Sequence, residues 1–416
     1  MDIKLKPFPT FFLVLFFSML LLVSAYWLFA EKNQEVNSIE EQRQLTRIPA
    51  LTLKELRSFS LDLVTGTNHT GEYAKLLETG LSDRFPLRLF FLKASRWVDR
   101  QIIALAYLPL HDAALPADSH SDVEVLADRS RLIRMPTLYD AELENKIDAA
   151  SVNYDLLIKR FPDLHFYAYY IQEVWDSAYH PLAPYFQDAD KGRSIEYFQE
   201  IMPAGLTLGQ FAFSSFEDMQ WFYKTDHHWT MRGACRGYQQ IYALLALNYL
   251  DITPVVDCDH YMVVPGVQFL GSSARDALYP MQPEEIEVST APLPEHTILV
   301  DGKPSKYTHL ASYLRGDFNT YPYTDHYRLI FGAFNKRVEY EFPSSPMRNL
   351  LIIGSSYRTP VLPFIASHYR HTWVVDLRFE EDFSLGEFLK EHPVDDLLLL
   401  GEDNVIYQFD EWKLKP

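Results

Sequence analysis

Asn349-Leu350-Leu351-Ile352-Ile353-Gly354-Ser355-Ser356-Tyr357 is a short apolar run that stops abruptly at a glycine and two hydroxyls. Without polar alternation, it reads as a strand buried on both faces. Such strands belong to parallel sheets, whose carboxyl edges carry the ligand site. The residues after it keep the rhythm that this reading requires: a strand over 350–353, a helix over 360–369, a strand over 372–377, a helix over 385–391 and a last strand over 396–400. Upstream, helical periodicity over 139–161 (Leu143, Ile147, Ala150, Tyr154, Leu157) precedes a continuous apolar run over 164–171, and 206–213 is a further extended segment. Alternating helices and buried strands predict an α/β fold with a parallel sheet flanked by helices and joined by right-handed crossovers.

A serine at a strand end is inert until a base takes its proton, and that base needs an orienting group. Thr225-Asp226-His227-His228-Trp229-Thr230 supplies both. In an extended chain, residues two apart share a face, so Asp226 pairs with His228 and His227 points away. Thr230 then caps a helix whose apolar face holds Tyr238, Ile241, Tyr242, Leu244, Leu245 and Leu247. Ser356 as nucleophile, His228 as base and Asp226 as orienting acid make a candidate Ser-His-Asp hydrolase or acyltransferase. A metal site on Asp226, His227 and His228 is the rival; adjacent histidines diverge in extended chain, and no clustered cysteine or HExxH supports it. No metal and no cofactor are expected. Trp229 is expected to be a packing anchor.

The 416 residues are 48% hydrophobic and 23% charged, enough for one large domain with a real core. A net charge of −18 argues against nucleic acid as a partner. Residues 11–30 contain no charge and are long enough to cross the hydrocarbon core. Lys4 and Lys6 before them, and Glu31, Glu35, Glu40 and Glu41 after, predict a single-pass anchor in the cell membrane with a cytoplasmic tail over 1–10. A cleaved signal peptide is the alternative. Residues 31–60 read as a stalk and 61–416 as the extracytoplasmic domain. Within it, helices run from 71 to 110 with a break near 82–85, a weak strand lies near 131–133, and the proline-rich stretch 251–346 forms an irregular insertion with short strands at 296–301 and 327–331. Cys235 and Cys258 can pair only if their Cβ atoms meet, which spacing cannot decide.

The Thr225–Thr230 motif resembles the signature of the DHHW family of bacterial envelope proteins and is more distantly similar to SGNH-hydrolase-like alginate O-acetylation proteins. The Asp83-Arg84-Phe85-Pro86-Leu87-Arg88 core, the 351–357 block and Val374-Val375-Asp376-Leu377-Arg378 carry the same resemblance. It implies an SGNH-like, flavodoxin-type sheet and an O-acyl (acetyl) esterase or transferase acting on an envelope polysaccharide or wall polymer. Its distant relatives imply a membrane-embedded acyl donor protein as partner. Relatives carry Gly-Asp-Ser where this chain has Gly354-Ser355-Ser356, which leaves open an inactive glycan-binding or scaffolding protein, or Ser355 as the reactive hydroxyl. The backbone amide of Ser356 is a candidate oxyanion donor. Asn404, after the last strand where SGNH enzymes place an Asn, and Arg378, after another strand end, are side-chain candidates.

Overall fold

The computed structural model of the protein describes residues 18, 37–38, 43–47, 71–85, 88–107, 123–125, 131–180, 183–278, 280–305, 320–332, 336–380 and 382–407. The expected cytoplasmic tail, nearly all of the expected anchor and most of the stalk lie outside them. Among the described residues no helix is long and apolar enough to cross a membrane. Met1–Gln101 and Ile102–Pro416 are two compact units. In the first, helix α1 (Gly71–Asp83) ends at the expected break and α2 (Arg88–Tyr107) begins after it. Asp83 is buried and accepts the Thr46 N–H at 2.9 Å, while Arg84 reaches the Thr46 carbonyl.

The second unit runs α3 (Ala141–Arg160), β1 (His165–Ile171), α4 (Arg193–Ile201), β2 (Leu206–Phe211), α5 (Met231–Leu245), α6 (Ser272–Ala277), β3 (Thr297–Val300), β4 (Lys303–Pro304), α7 (His326–Phe331), β5 (Arg337–Glu341), β6 (Asn349–Gly354), α8 (Leu362–Ala366), β7 (His371–Val375), α9 (Leu385–Glu391) and β8 (Asp396–Gly401). These strands form one sheet in the order β4-β3-β5-β7-β6-β8-β1-β2. The five from β7 to β2 are parallel, and β3, β4 and β5 add an antiparallel edge. Counted from β6 as the first strand, the parallel part reads 2-1-3-4-5, the flavodoxin order. The chain therefore enters that arrangement at its fourth strand, which is why the acid and the imidazole precede the serine in sequence. β6 sits at the point where the strand order reverses, and the serine leaves its carboxyl end.

Side-chain alternation divides the core between the two faces of the sheet. Tyr167, Tyr169, Leu350, Ile352, Val374, Leu398 and Leu400 pack with α5 and α8. Phe166, Ala168, Tyr170, Leu351, Ile353, Trp373, Val375, Leu397 and Leu399 pack with α3, α4 and α9. Fully covered strands explain why they read as unbroken apolar runs.

Two expectations need correction. The stretch 327–331 is the helix α7, not a strand, because Asp325 caps it by accepting the Arg328 N–H. The residues 251–346 do not stand apart as an insertion: β3 pairs with β5 and carries the main sheet outward, and Val264, Val267, Phe269, Ile286, Val288 and Ile330 form a small core that includes Tyr223 and Tyr327. Cys235 on α5 is joined to Cys258 by a disulfide with Cα atoms 5.9 Å apart.

Candidate active site

β6 runs close against β8, so close that a Cβ on Gly354 would sit 2.3 Å from the Leu400 carbonyl oxygen. The Ser355 N–H donates to that carbonyl, and the chain then tightens into a 3-10 turn over Ser356–Arg358. Ser355 and Ser356 diverge at this bend. Ser355 is buried and its hydroxyl donates to Glu402 Oε2 at 2.5 Å. Ser356 Oγ lies 2.7 Å from His228 Nε2. Ser355, where the resemblance implies an aspartate, thus meets the carboxylate of Glu402 from the loop after β8.

His228 is turned so that its other nitrogen, Nδ1, donates to Asp226 Oδ1 at 2.5 Å. The local conformation differs from the extended chain expected: 224–228 form a bend, flanked by an antiparallel bridge between Phe222 and Trp229. The Asp226 carboxylate also accepts the His228 backbone N–H at 3.0 Å, an aspartate side chain closing a turn onto residue i+2. The same acid therefore folds the turn and holds the imidazole. Trp229 anchors the turn as expected; it is fully buried, and a Cβ on Gly237 of α5 would meet its ring at 2.5 Å. Thr230 caps α5 by accepting the Gly233 N–H.

The former insertion completes the acid's surroundings. The Ser272 N–H, at the start of α6, donates to Asp226 Oδ2 at 2.6 Å. A Cβ on Gly271 would fall 2.2 Å from Asp226, so only glycine lets this loop approach. Glu284 accepts the N–H groups of Lys224 and Thr225 and the Thr225 hydroxyl, and buried Arg131 donates to the carbonyls of Met219, Phe222 and Tyr223. Burial would raise the Asp226 carboxyl, but His228 and His227 beside it, with the bonds from His228, hold it well below the usual range. It is ionised at neutral pH.

Two aromatic rings fix the imidazole. Tyr327 of α7 stacks on His228 with ring centres 3.9 Å apart and planes 14° from parallel. Tyr357, next to the serine, lies 5.1 Å away at 50°. Sequence reasoning misses Tyr327, Ser272, Gly271 and Glu284, which have no spacing relation to the motif.

Asn404 lies on the loop after β8; its side-chain oxygen is buried, with no hydrogen-bond partner among the described residues, and would be 2.6 Å from a Cβ on Gly401, a point 3.3 Å from Ser355 Oγ. Arg378 gives its Nε and Nη2 to Asp376 at 2.9 and 2.8 Å, the arrangement of a structural ion pair. The extended-chain argument against a metal on Asp226, His227 and His228 does not hold, because the bend brings the two imidazoles to 3.9 Å and the three ligand atoms within 4.8 Å of one another. The atom facing each nitrogen separates the alternatives. His228 has a carboxylate at one nitrogen and a hydroxyl at the other, whereas His227 Nδ1 meets Ser272 Oγ at 2.8 Å. That is the arrangement of a general base with its acid and alcohol.

Neither a family model nor a curated protein matches this chain. Solved structures do. The fold is similar to that of PatB1 from Bacillus cereus solved with a sulfonyl adduct, at 15% identity and a TM-score of 0.58, covering 71% of this chain and 100% of that one. It is also similar to a DHHW family protein from Eubacterium siraeum DSM 15702, at 15% identity and a TM-score of 0.54, covering 72% and 98% of the two chains. At these identities the likeness is one of fold. It is a mixed α/β fold with a mainly parallel sheet, and a DHHW family protein, the family that Thr225–Thr230 resembles, is among the proteins that share it.

Proposed function

We propose that the protein is a membrane-anchored O-acyl esterase or transferase, acting with an acetyl group on an envelope polysaccharide or wall polymer. The observation that carries this reading is the continuous hydrogen-bonded line from Ser356 Oγ through His228 to Asp226. In this reading Ser356 Oγ attacks the ester carbonyl carbon and its proton passes to His228 Nε2. Asp226 and the face of Tyr327 stabilise the imidazolium so formed. In this reading the backbone N–H of Ser356, at the start of a helical turn and so without an intrahelical acceptor, faces the developing oxyanion, with Asn404 and Arg378 the side-chain candidates. His228 returns the proton to the leaving alkoxide, and an acyl group remains on Ser356. Water or a sugar hydroxyl, deprotonated by His228, then attacks it and releases the acid or the acylated sugar.

The apolar run 11–30 would hold the domain at the outer face of the cell membrane, within reach of a membrane-embedded acyl donor protein and of the polymer. The fold supports the chemistry, since PatB1 of the same fold carries a sulfonyl adduct in one of its structures. Sulfonyl reagents capture activated hydroxyls. Mass spectrometry after exposure to a reactive acetyl ester or a sulfonyl fluoride is expected to find the adduct on the peptide containing Ser356, and to find none when His228 is alanine. An adduct distributed over other serines, or unchanged in His228→Ala, would refute the assignment.

The stack on His228 makes a second expectation. Tyr327→Phe keeps the ring and should hold turnover of a chromogenic acetyl ester within about twofold, whereas Tyr327→Leu should lower it about five- to tenfold, the size of an aromatic pair of ~1 kcal/mol. Equal rates in the two variants would remove the stack from the account.

A further inference from the structure

Glu173, in the turn after β1, is 3% exposed, and the proposed mechanism does not use it. Its Oε2 lies 2.8 Å from the Tyr357 hydroxyl, and that hydroxyl lies 2.5 Å from the backbone carbonyl oxygen of His227. Three oxygens stand in a row with the phenol in the middle, and the phenol has one hydrogen. Two oxygens at 2.5 Å repel unless a proton lies between them, and a carbonyl has none to give. The phenol hydrogen must therefore point at His227, and the contact between Tyr357 and Glu173 lacks a hydrogen unless the glutamic acid brings one.

We propose that Glu173 is a protonated carboxylic acid at neutral pH, donating to Tyr357 Oη, which in turn donates to the His227 carbonyl, and that this relay positions the Asp226-His227-His228 turn against the Ser356 segment. Tyr357 follows the serine directly, so the relay ties the base-bearing turn to the nucleophile-bearing turn. It deepens the reading of Ser356 and His228 given above, and its value for catalysis rests on that reading. Glu173 is a positioning residue and touches no reacting atom.

The groups around Glu173 favour its neutral form. Burial comes first, then the carboxyls of Glu402 and Asp403 from the loop after β8 and of Asp176 from its own turn; the bond from Tyr357 works the other way and is outweighed. Tyr170, the last but one residue of β1, has acids around it too, and burial raises its phenol beyond the range where it ionises. Because the folded protein keeps the Glu173 proton to a higher pH than the unfolded chain does, this group's contribution to stability declines as pH rises from the ordinary glutamate value to its folded one. The relay fails over the upper end of that interval.

Glu173→Gln supplies an amide N–H in place of the acid O–H and cannot ionise, whereas Glu173→Leu removes the donor. Two measurements on the full chain test the proposal. In infrared difference spectra of wild type minus Glu173→Gln at neutral pH, the carbonyl band of a protonated carboxylic acid is expected, and a carboxylate band in its place overturns the proposal whether or not the protein cleaves esters. In ester cleavage, wild type is expected to lose activity on the alkaline side and Glu173→Gln to lack that limb while staying within a few-fold at neutral pH. Glu173→Leu is expected to fall roughly ten- to a hundredfold at all pH, the cost of a buried hydrogen bond left half made. If both variants lose activity equally, the relay is not what positions the turn. If the acid band is present but no variant nor wild type cleaves any ester, the proton on Glu173 stands and the catalytic reading of Ser356 fails.

Discussion

Ser356→Ala and His228→Ala should each lower kcat/KM for a chromogenic acetyl ester by at least about a thousandfold, and the double variant should be no worse than the worse single one. The reason is that the hydroxyl and the imidazole act through one proton, shared across 2.7 Å. Removing either removes the same step. Asp226→Asn should cost less than Ser356→Ala but still roughly a hundred- to ten-thousandfold, because an amide at Oδ1 no longer fixes the His228 tautomer with its proton on Nδ1. It should also loosen the turn, since Asp226 accepts two backbone N–H groups besides the imidazole. Indistinguishable rates in wild type and both alanine variants would end the enzymatic claim and leave a glycan-binding or scaffolding protein on this α/β fold.

The parts of this site that are legible in the sequence are those set by short-range rules. A serine after an unbroken apolar run stands at a strand end because a parallel strand is apolar on both faces and must stop where it reaches water. An acid two residues before a histidine reaches it across a turn as well as along a strand, so pairing Asp226 with His228 survives an incorrect local conformation. What the sequence conceals is contact between distant segments. Tyr327 reaches His228 from about 100 residues away because α7 packs into the small core containing Tyr223. Glu173 and Tyr357 are neighbours only because the turn after β1 and the one after β6 leave the same edge of the sheet, on either side of β8. The strand order is hidden for a related reason: local alternation of helix and strand demands a parallel sheet but does not say where in it the chain begins.

The largest loss of stability should come from Arg358, two residues after the serine. The residue is 4% exposed, and its guanidinium donates through Nη1 to the carbonyls of Gly354 and Ser355 and through Nη2 to Asp376 at 2.9 Å. Asp376, at the end of β7, is itself 1% exposed. Arg358→Leu would remove the guanidinium bonds to the Gly354 and Ser355 carbonyls, of which Ser355 keeps only the backbone N–H of residue 358, and would leave Asp376 with Arg378 alone. Breaking one side of a buried pair costs about 3–5 kcal/mol, because the remaining charge keeps its desolvation cost without its partner. Urea unfolding should show a lower midpoint with an unchanged slope, the product of shift and slope equalling that loss, which separates lost stability from a changed unfolded state. Arg378→Ala provides the contrast. Its side chain is 51% exposed while sharing the same carboxylate, and a solvent-screened ion pair is worth only about 0–1 kcal/mol. If Arg378→Ala lowers turnover by a hundredfold or more at nearly unchanged stability, the residue acts on the oxyanion, and its bond to Asp376 holds it there. If Arg358→Leu and Arg378→Ala unfold at the same urea concentration, the turn carrying Ser356 is held by the sheet and not by the buried arginine.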